Sequence, residues 1–247
     1  MKNKAVIAFG CHNDDIEARC GGALAEFADQ GASTYYVLMN DVQQPAAAEI
    51  LGAEAIALGY KGFWSPLEYG DPLYIRENSE KLKNDIQKLI IDKKATLVLT
   101  HDIDDHHPDH YTMSKCVYLA VMELVVKNSF DGEIWFWERG GCAGNFMYKP
   151  DIGIDVSRQM ERKNEALKQH VRQLQKAPVL LQQLWKRGRR WGNIFGVEFA
   201  EVFKVLTAKE IMDRETLHLD DTEWEDPASF EKRFGIPSPD VSWLTEE

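Results

Sequence analysis

The chain has 247 residues, 44% of them hydrophobic, enough for one sizeable domain with a full core and no need of covalent staples. Its formal net charge is -11 and its pI about 5.2, which argues against nucleic acid or an anionic membrane as the main partner. The four cysteines, Cys11, Cys20, Cys116 and Cys142, make no C-x-x-C pair. With no signal-peptide pattern and no apolar stretch long enough for a bilayer, they lead to the expectation of a reduced, cytoplasmic setting.

Residues 5–9 are an apolar run and read as a short buried strand, followed at once by the cluster Cys11-His12-Asn13-Asp14-Asp15. Residues 17–30 are predicted helical, with Ala23, Leu24 and Phe27 on one face and Gly31 as the stop. Residues 34–39, β-branched and aromatic, predict a second strand, and 46–57 a helix; 59–73, rich in Gly, Pro and aromatics, reads as a loop. An amphipathic helix over 79–93 carries Leu82, Ile86, Leu89 and Ile90, and a strand over 96–100 leads into Asp105-His106-His107-Pro108-Asp109-His110. A helix over 111–127 follows, then strands over 133–137 and 152–156. Ser157 is the expected N-cap of a helix that ends before Pro178, and 199–206 is a final strand. Alternating strands and helices predict an α/β fold, a Rossmann-like, mostly parallel sheet with helices on both faces. From about Ala208 the chain turns acidic, with prolines and spaced aromatics. The division expected is a domain over 1–207 and an irregular extension over 208–247 that tunes access or assembly.

Each cluster stands at the C-terminal end of a predicted strand, where open α/β sheets bind ligands. His12 and Asp15 are separated by two residues on a strand-to-helix turn, which can aim both at one point; a third ligand must then come from the second cluster. Two histidines and a carboxylate with an open position form a catalytic zinc pattern, and the same set serves non-haem iron. Asp, Asn, His and Pro are also ordinary turn formers, but two such clusters at two strand ends favour the metal. A dinucleotide site is disfavoured, since no G-x-G-x-x-G follows the first strand, Gly21-Gly22 come too late, and paired carboxylates repel a pyrophosphate.

The segments His12-Asn13-Asp14-Asp15-Ile16-Glu17, Cys20-Gly21-Gly22 and Asp105-His106-His107-Pro108-Asp109-His110 resemble the two motifs of the PIG-L/LmbE-like family of zinc-dependent de-N-acetylases. Residues 163–170 are similar to its K-x-x-A-L-x-x-H helix and 196–203 to its closing G-x-x-Y-A-E-x-F segment, so the likeness covers roughly 4–206. The chain departs from the pattern at Asn13, where proline is usual and whose replacement implies a less rigid turn. Arg172-Gln173 stands where Ser-Gln often follows the histidine, and Asn40 and Gln43 lie where the family often has Arg and Glu. The resemblance implies Zn²⁺, or another divalent metal, held by His12, Asp15 and His110. It implies Asp14 as general base and His107 polarising the carbonyl or protonating the leaving amine, with Asp109 orienting it. Asp109 or Asp105 near His107 would favour its charged form. The implied reaction removes an N-acetyl group from a glucosamine-containing small molecule or glycoconjugate. The alternatives are a related amidase cutting a larger acyl or thiol-conjugate amide and, in another class, a sugar-conjugate binding protein without turnover. A homo-oligomer is compatible with this reading.

Around these residues, Trp64, His170 and Arg190 are candidates for substrate binding. Sugar rings often lie on aromatic faces, as Phe63-Trp64 could offer, whereas Trp135-Phe136-Trp137 reads as core. The basic run 186–190 reads as a solvated or interface loop, or as the holder of an anionic group on the substrate. His101 and His106 read as solvated loop histidines rather than partners of the ligands.

Overall fold

The computed structural model describes residues 1–60, 72–139 and 148–213, without the side chains of 72–77. Strand β1 (Ala5–Gly10) is buried along its whole length and lies parallel between β2 (Ser33–Leu38) and β4 (Leu97–His101). β3 (Glu54–Ala57) extends the sheet beyond β2, and β5 (Glu133–Trp137) extends it beyond β4, both in parallel register. β6 (Ile152–Asp155) and β7 (Ala200–Thr207) complete the order β3-β2-β1-β4-β5-β7-β6, with β7 antiparallel to both neighbours. This is the mostly parallel α/β sheet that the strand–helix alternation predicts.

Strands covered on both faces must be apolar throughout, as β1 and β4 are. Val6, Ala8, Leu97 and Leu99 share one core with Leu24, Leu51 and Leu167. The alternate residues Ile7, Phe9 and Val98 are equally buried and point to the other face, since side chains alternate along a strand. Helix α5 (Pro108–Val126), which contributes nothing to the first core, packs on β1 and β4 there, with α4 (Pro72–Asp92) against it. The strand order reverses between β1 and β4, and such a switch point opens a crevice at the C-terminal strand ends. Both histidine clusters begin there.

Several expected elements are corrected. The helix expected over 17–30 is two, α1 (Asp15–Arg19) and α2 (Gly21–Asp29), broken at Cys20. The break gives α2 its own N-terminus, where the N–H groups of Gly22 and Ala23 donate to the Glu201 carboxylate at 3.0 and 2.7 Å. Gly22 is needed there, because a Cβ would lie 2.8 Å from Val156 Cβ. The helix expected over 46–57 stops at Leu51 as α3 (Pro45–Leu51), because Gly52 takes φ 78, and 54–57 pairs with β2 instead. α5 begins at Pro108, so Asp109 and His110 lie in its first turn rather than in a loop. After β6 come α6 (Met160–Lys168) and α7 (Val171–Lys176), separated at His170. Ser157 does not cap α6; its hydroxyl donates to Asp155 and accepts the Phe199 N–H. The basic run 186–190 is no loop but part of α8 (Val179–Phe195), which buries Leu184, Gly188 and Trp191. Phe136 and Trp137 are core, as expected. Trp64 and most of the expected 59–73 loop lie outside the described residues, as does the chain beyond Asp213.

Lys163 on α6 and Glu201 on β7, both buried, form an ion pair that ties these later elements to α2. Breaking a buried pair leaves an uncompensated charge, so Glu201→Ala should destabilise the fold by about 3–5 kcal/mol. Urea unfolding of the purified variant reads this directly; a loss within a few tenths of wild type rules out the structural role.

Candidate metal centre and its cleft

His12 follows β1, Asp15 opens α1 and His110 sits in the first turn of α5. Their side chains converge. His12 Nδ1 is 3.3 Å from His110 Nε2 and 3.5 Å from Asp15 Oδ2, and His110 Nε2 is 3.4 Å from Asp15 Oδ1. A tetrahedral cation with bonds of about 2.0–2.1 Å sets its donors about 3.3–3.5 Å apart, so the spacing fits zinc. His101, expected in a solvated loop, is instead buried at the end of β4. Its ring stacks on that of His110 at 4.0 Å, and its Nε2 faces Asp15 Oδ2 at 3.4 Å without a hydrogen bond. A buried ring nitrogen without a partner is rare, and its presence beside this donor set fits a site that includes a cation.

Each of the two candidate ligand histidines, His12 and His110, is held from behind by a carboxylate. His12 Nε2 lies 2.8 Å from Asp109 Oδ2, and His110 Nδ1 lies 3.1 Å from Asp105 Oδ2. Such pairs fix the ring and raise its basicity toward a metal. Sequence reasoning places Asp109 behind His107; in the structure its Oδ2 holds His12, while its backbone N–H donates to His107 Nδ1 at 3.2 Å. That bond leaves the proton of a neutral His107 on Nε2. Asp15 works on the backbone too, Oδ2 accepting from the N–H groups of Cys11 and His12 at 3.0 and 2.7 Å. Against burial, the bonds to Asp109 and Asp15 push His12 up to about 10. Against burial, the Asp15 charge and the bond to Asp105 push His110 up to about 9. Burial holds His101 down to about 4. The carboxylates thus call for positive charge at the histidines, and a cation answers that demand as well as protons do.

Asp14 and His107 flank the three donors in sequence. Asp14 is buried at φ 146, a conformation that favours glycine and costs a side chain about 1–3 kcal/mol. Gln173 of α7 is a hydrogen-bond partner of its carboxylate. Burial, then the charges of Asp15 and Glu17, push it up to about 7. A bound cation acts in the opposite sense. The His107 ring lies 4.9 Å from that of His12 and 4.4 Å from that of His110. Burial, then the His110 and His12 charges, hold it below its ordinary value, opposite to the expectation of a charged form.

From His12 a cleft of about 970 Å³ runs between Asn40, Gln43 and Gln44 after β2 and the residues of α7. His170 lines it, with Nε2 2.7 Å from Oε1 of the fully buried Glu17, which also accepts from the Tyr36 hydroxyl at 3.0 Å. Sequence reasoning assigned no role to Glu17; the signal was its place at the end of the first motif on a helix under a strand that carries Tyr36. Asn13 does not loosen its turn. Its Nδ2 donates to the Asp41 carbonyl at 2.8 Å and its Oδ1 accepts the Gln43 N–H at 2.9 Å. Arg190 does not line this cleft; it pairs with Glu138, which also accepts from Trp191 Nε1 at 2.9 Å. His106 is exposed, its ring 3.4 Å from Arg139 Nη1.

Fold and site together define a class: an α/β protein with a histidine–carboxylate cluster, able to hold a cation, at its topological switch point. Residues 7–121, a stretch that contains both histidine clusters, match the family model PIG-L, described as GlcNAc-PI de-N-acetylase. The structure is similar to the N,N'-diacetylchitobiose deacetylase from Pyrococcus horikoshii (TM-score 0.65, 19% identity, 90% of this chain and 88% of that one). It is similar to a teicoplanin deacetylase in its zinc-inhibited form (0.64, 16%, 83% and 98%). It is equally similar to the 4-carboxy-2-hydroxymuconate hydratase of Pseudomonas putida (0.66, 17%, 82% and 96%). Among the described residues no helix is long and apolar enough to cross a membrane.

Metal analysis tests the donor assignment. His110→Ala should lose most of the bound zinc while far-ultraviolet circular dichroism stays that of the wild type. Asp109→Ala, which removes the support behind His12, should weaken zinc about 10–100-fold. Full zinc content in His110→Ala rules the assignment out.

Proposed function

We propose that the chain is a zinc-dependent de-N-acetylase of a small-molecule amino sugar or glycoconjugate. The observation that carries this is the convergence of His12, Asp15 and His110, with nitrogen and carboxylate atoms 3.3–3.5 Å apart and the His107 ring beside them. Simple binding has no need of a buried carboxylate held at φ 146, whereas proton transfer can use one. The match of residues 7–121 to the PIG-L model and two deacetylases among the similar structures support the same reading. The hydratase among them means that the fold alone does not select the bond.

When bound at His12, Asp15 and His110, a divalent cation supplies Lewis acidity, lowering the pKa of water to about 7 and polarising the acetyl carbonyl. The protein's own groups do the rest. Asp14 takes the proton of the attacking water. His107, whose Nδ1 is occupied by the Asp109 N–H, presents Nε2–H to the oxygen that gains charge. Asp14 then returns its proton to the leaving amine. Asp109 and Asp105 keep the two ligand rings in place, and Gln173 holds the carboxylate of Asp14.

Asp14→Asn should retain zinc and lose about 10²–10⁴ in kcat, and His107→Gln about 10²–10³. An acetate-release screen over N-acetylglucosaminides, paired with zinc content, measures both. Near-normal turnover of Asp14→Asn removes it from the mechanism. A zinc-loaded chain that releases no acetate but hydrates an unsaturated acid overturns the proposed activity.

A further inference from the structure

A second polar cluster shares none of the metal donors. Residues of α1, α6, α8 and the start of β7 close around a cavity of about 10 Å³, the room of one water-sized sphere. Its wall carries Arg19, Lys163 and Arg187 as cations and Glu138 and Glu201 as carboxylates, with the Trp191 ring between them. The hydrolysis proposed above uses none of these groups.

The charges around this cavity do not balance. Glu201 is spent on Lys163 and on the N–H groups of Gly22 and Ala23. Glu138, buried just beyond β5, takes Arg190 and Trp191 Nε1 and faces Arg187 Nε at 3.4 Å. One carboxylate therefore serves two guanidinium groups, and no described carboxylate pairs with Arg19. Asp15, four residues earlier on α1, is bound to the backbone of Cys11 and His12 and faces His110. Arg19 Nη1 is buried without a hydrogen-bond partner, and so is Arg190 Nε. Burial, then the Arg19 charge, hold Arg187 down to about 9 against the pull of Glu138. The basic run 186–190 thus sends Arg187 and Arg190 toward Glu138, and the cluster keeps a surplus of positive charge.

A buried N–H without an acceptor and a buried charge without a counter-ion are both costly. A water molecule supplies the acceptor but no charge. A single-atom anion supplies both, and the room excludes phosphate and sulfate. We propose that this cavity is a halide site that takes chloride, with Arg19 Nη1 donating to the ion and Arg187 and Lys163 facing it. The site is independent of the deacetylase reading. It joins α1, which carries Asp15, to α8, so that filling it stabilises the fold by linkage.

Crystals of the zinc-loaded full chain grown in bromide test the assignment, because bromine scatters anomalously and water does not. A peak between Arg19 and Arg187 is expected; no peak there, or bromide only beside His12 and His110, overturns the proposal. In solution, Tm is read in sodium chloride and in sodium gluconate at equal ionic strength, gluconate being too large for the cavity. Once chloride reaches about ten times its Kd, the wild type should melt about 3–6 °C higher than in gluconate. Arg19→Met should lose this difference. Glu138→Gln should reach it at lower chloride, since two guanidinium groups lose their carboxylate and the anion gains them. Equal Tm in the two salts, or an undiminished difference in Arg19→Met, overturns the site. A bromide peak without chloride-dependent melting marks an adventitious ion only and overturns it too. If Arg19→Met fails to fold, the bromide peak and the direction of the Glu138→Gln shift decide.

Discussion

The Asp15 carboxylate joins the two halves of the site. Oδ2 is fixed by the N–H groups of Cys11 and His12, which folds the turn after β1 back on itself. Oδ1 faces His110, on a helix that starts from a different strand. One side chain therefore shapes the first loop and meets the second. Burial works against its charge, and the charge of the neighbouring His110 overcomes it, so that it stays ionised well below the usual carboxylate range. This holds because β1 and β4 are neighbours at the switch point, which places both loops over the same crevice.

Around that carboxylate the polar groups are supported in pairs reaching deep into the fold. Asp109 and Asp105 stand behind His12 and His110; Glu17 joins Tyr36 of β2 to His170 at the head of α7. Lys163 and Glu201, which sit in two of the later resembling segments, pair with each other and not with His12, Asp15 or His110. They hold the start of α2, directly after the first motif helix. The sequence likeness thus has two physical origins, one chemical and one architectural. The late segments belong to the second, except for His170, which reaches the cleft.

How legible each part was follows from what shaped it. β1 and β4 are covered on both faces and therefore appear as plain apolar runs, and the clusters after them stand out against that background. β3 is an edge strand of Glu-Ala-Ile-Ala, residues that suit a helix, and only pairing with β2 decides its form. α8 was hidden because its inner face uses Gly188 and Trp191 beside Leu184, while Arg187, flanked by other basic residues, turns inward to Glu138. The partner of Asp109 was hidden by a helix start. Once α5 begins at Pro108, Asp109 projects from a helical turn toward His12, a direction that spacing in a presumed loop does not give. The burial of His101 escaped for a related reason, since β4 runs one residue further than its apolar pattern.

The strained backbone at Asp14 links the chemistry to the shape of the cleft. Adjacent carboxylates in an ordinary helical start would sit close together and share one environment. At φ 146 the chain turns between them, sending Asp15 to the histidines and Asp14 to Gln173 on α7. Two environments make two roles possible, one carboxylate kept ionised and one raised to about 7. The same α7 carries Arg172 and Lys176, and His170 at its head is tied to Glu17. A single short helix therefore borders the Asp14 carboxylate and forms one wall of the cleft.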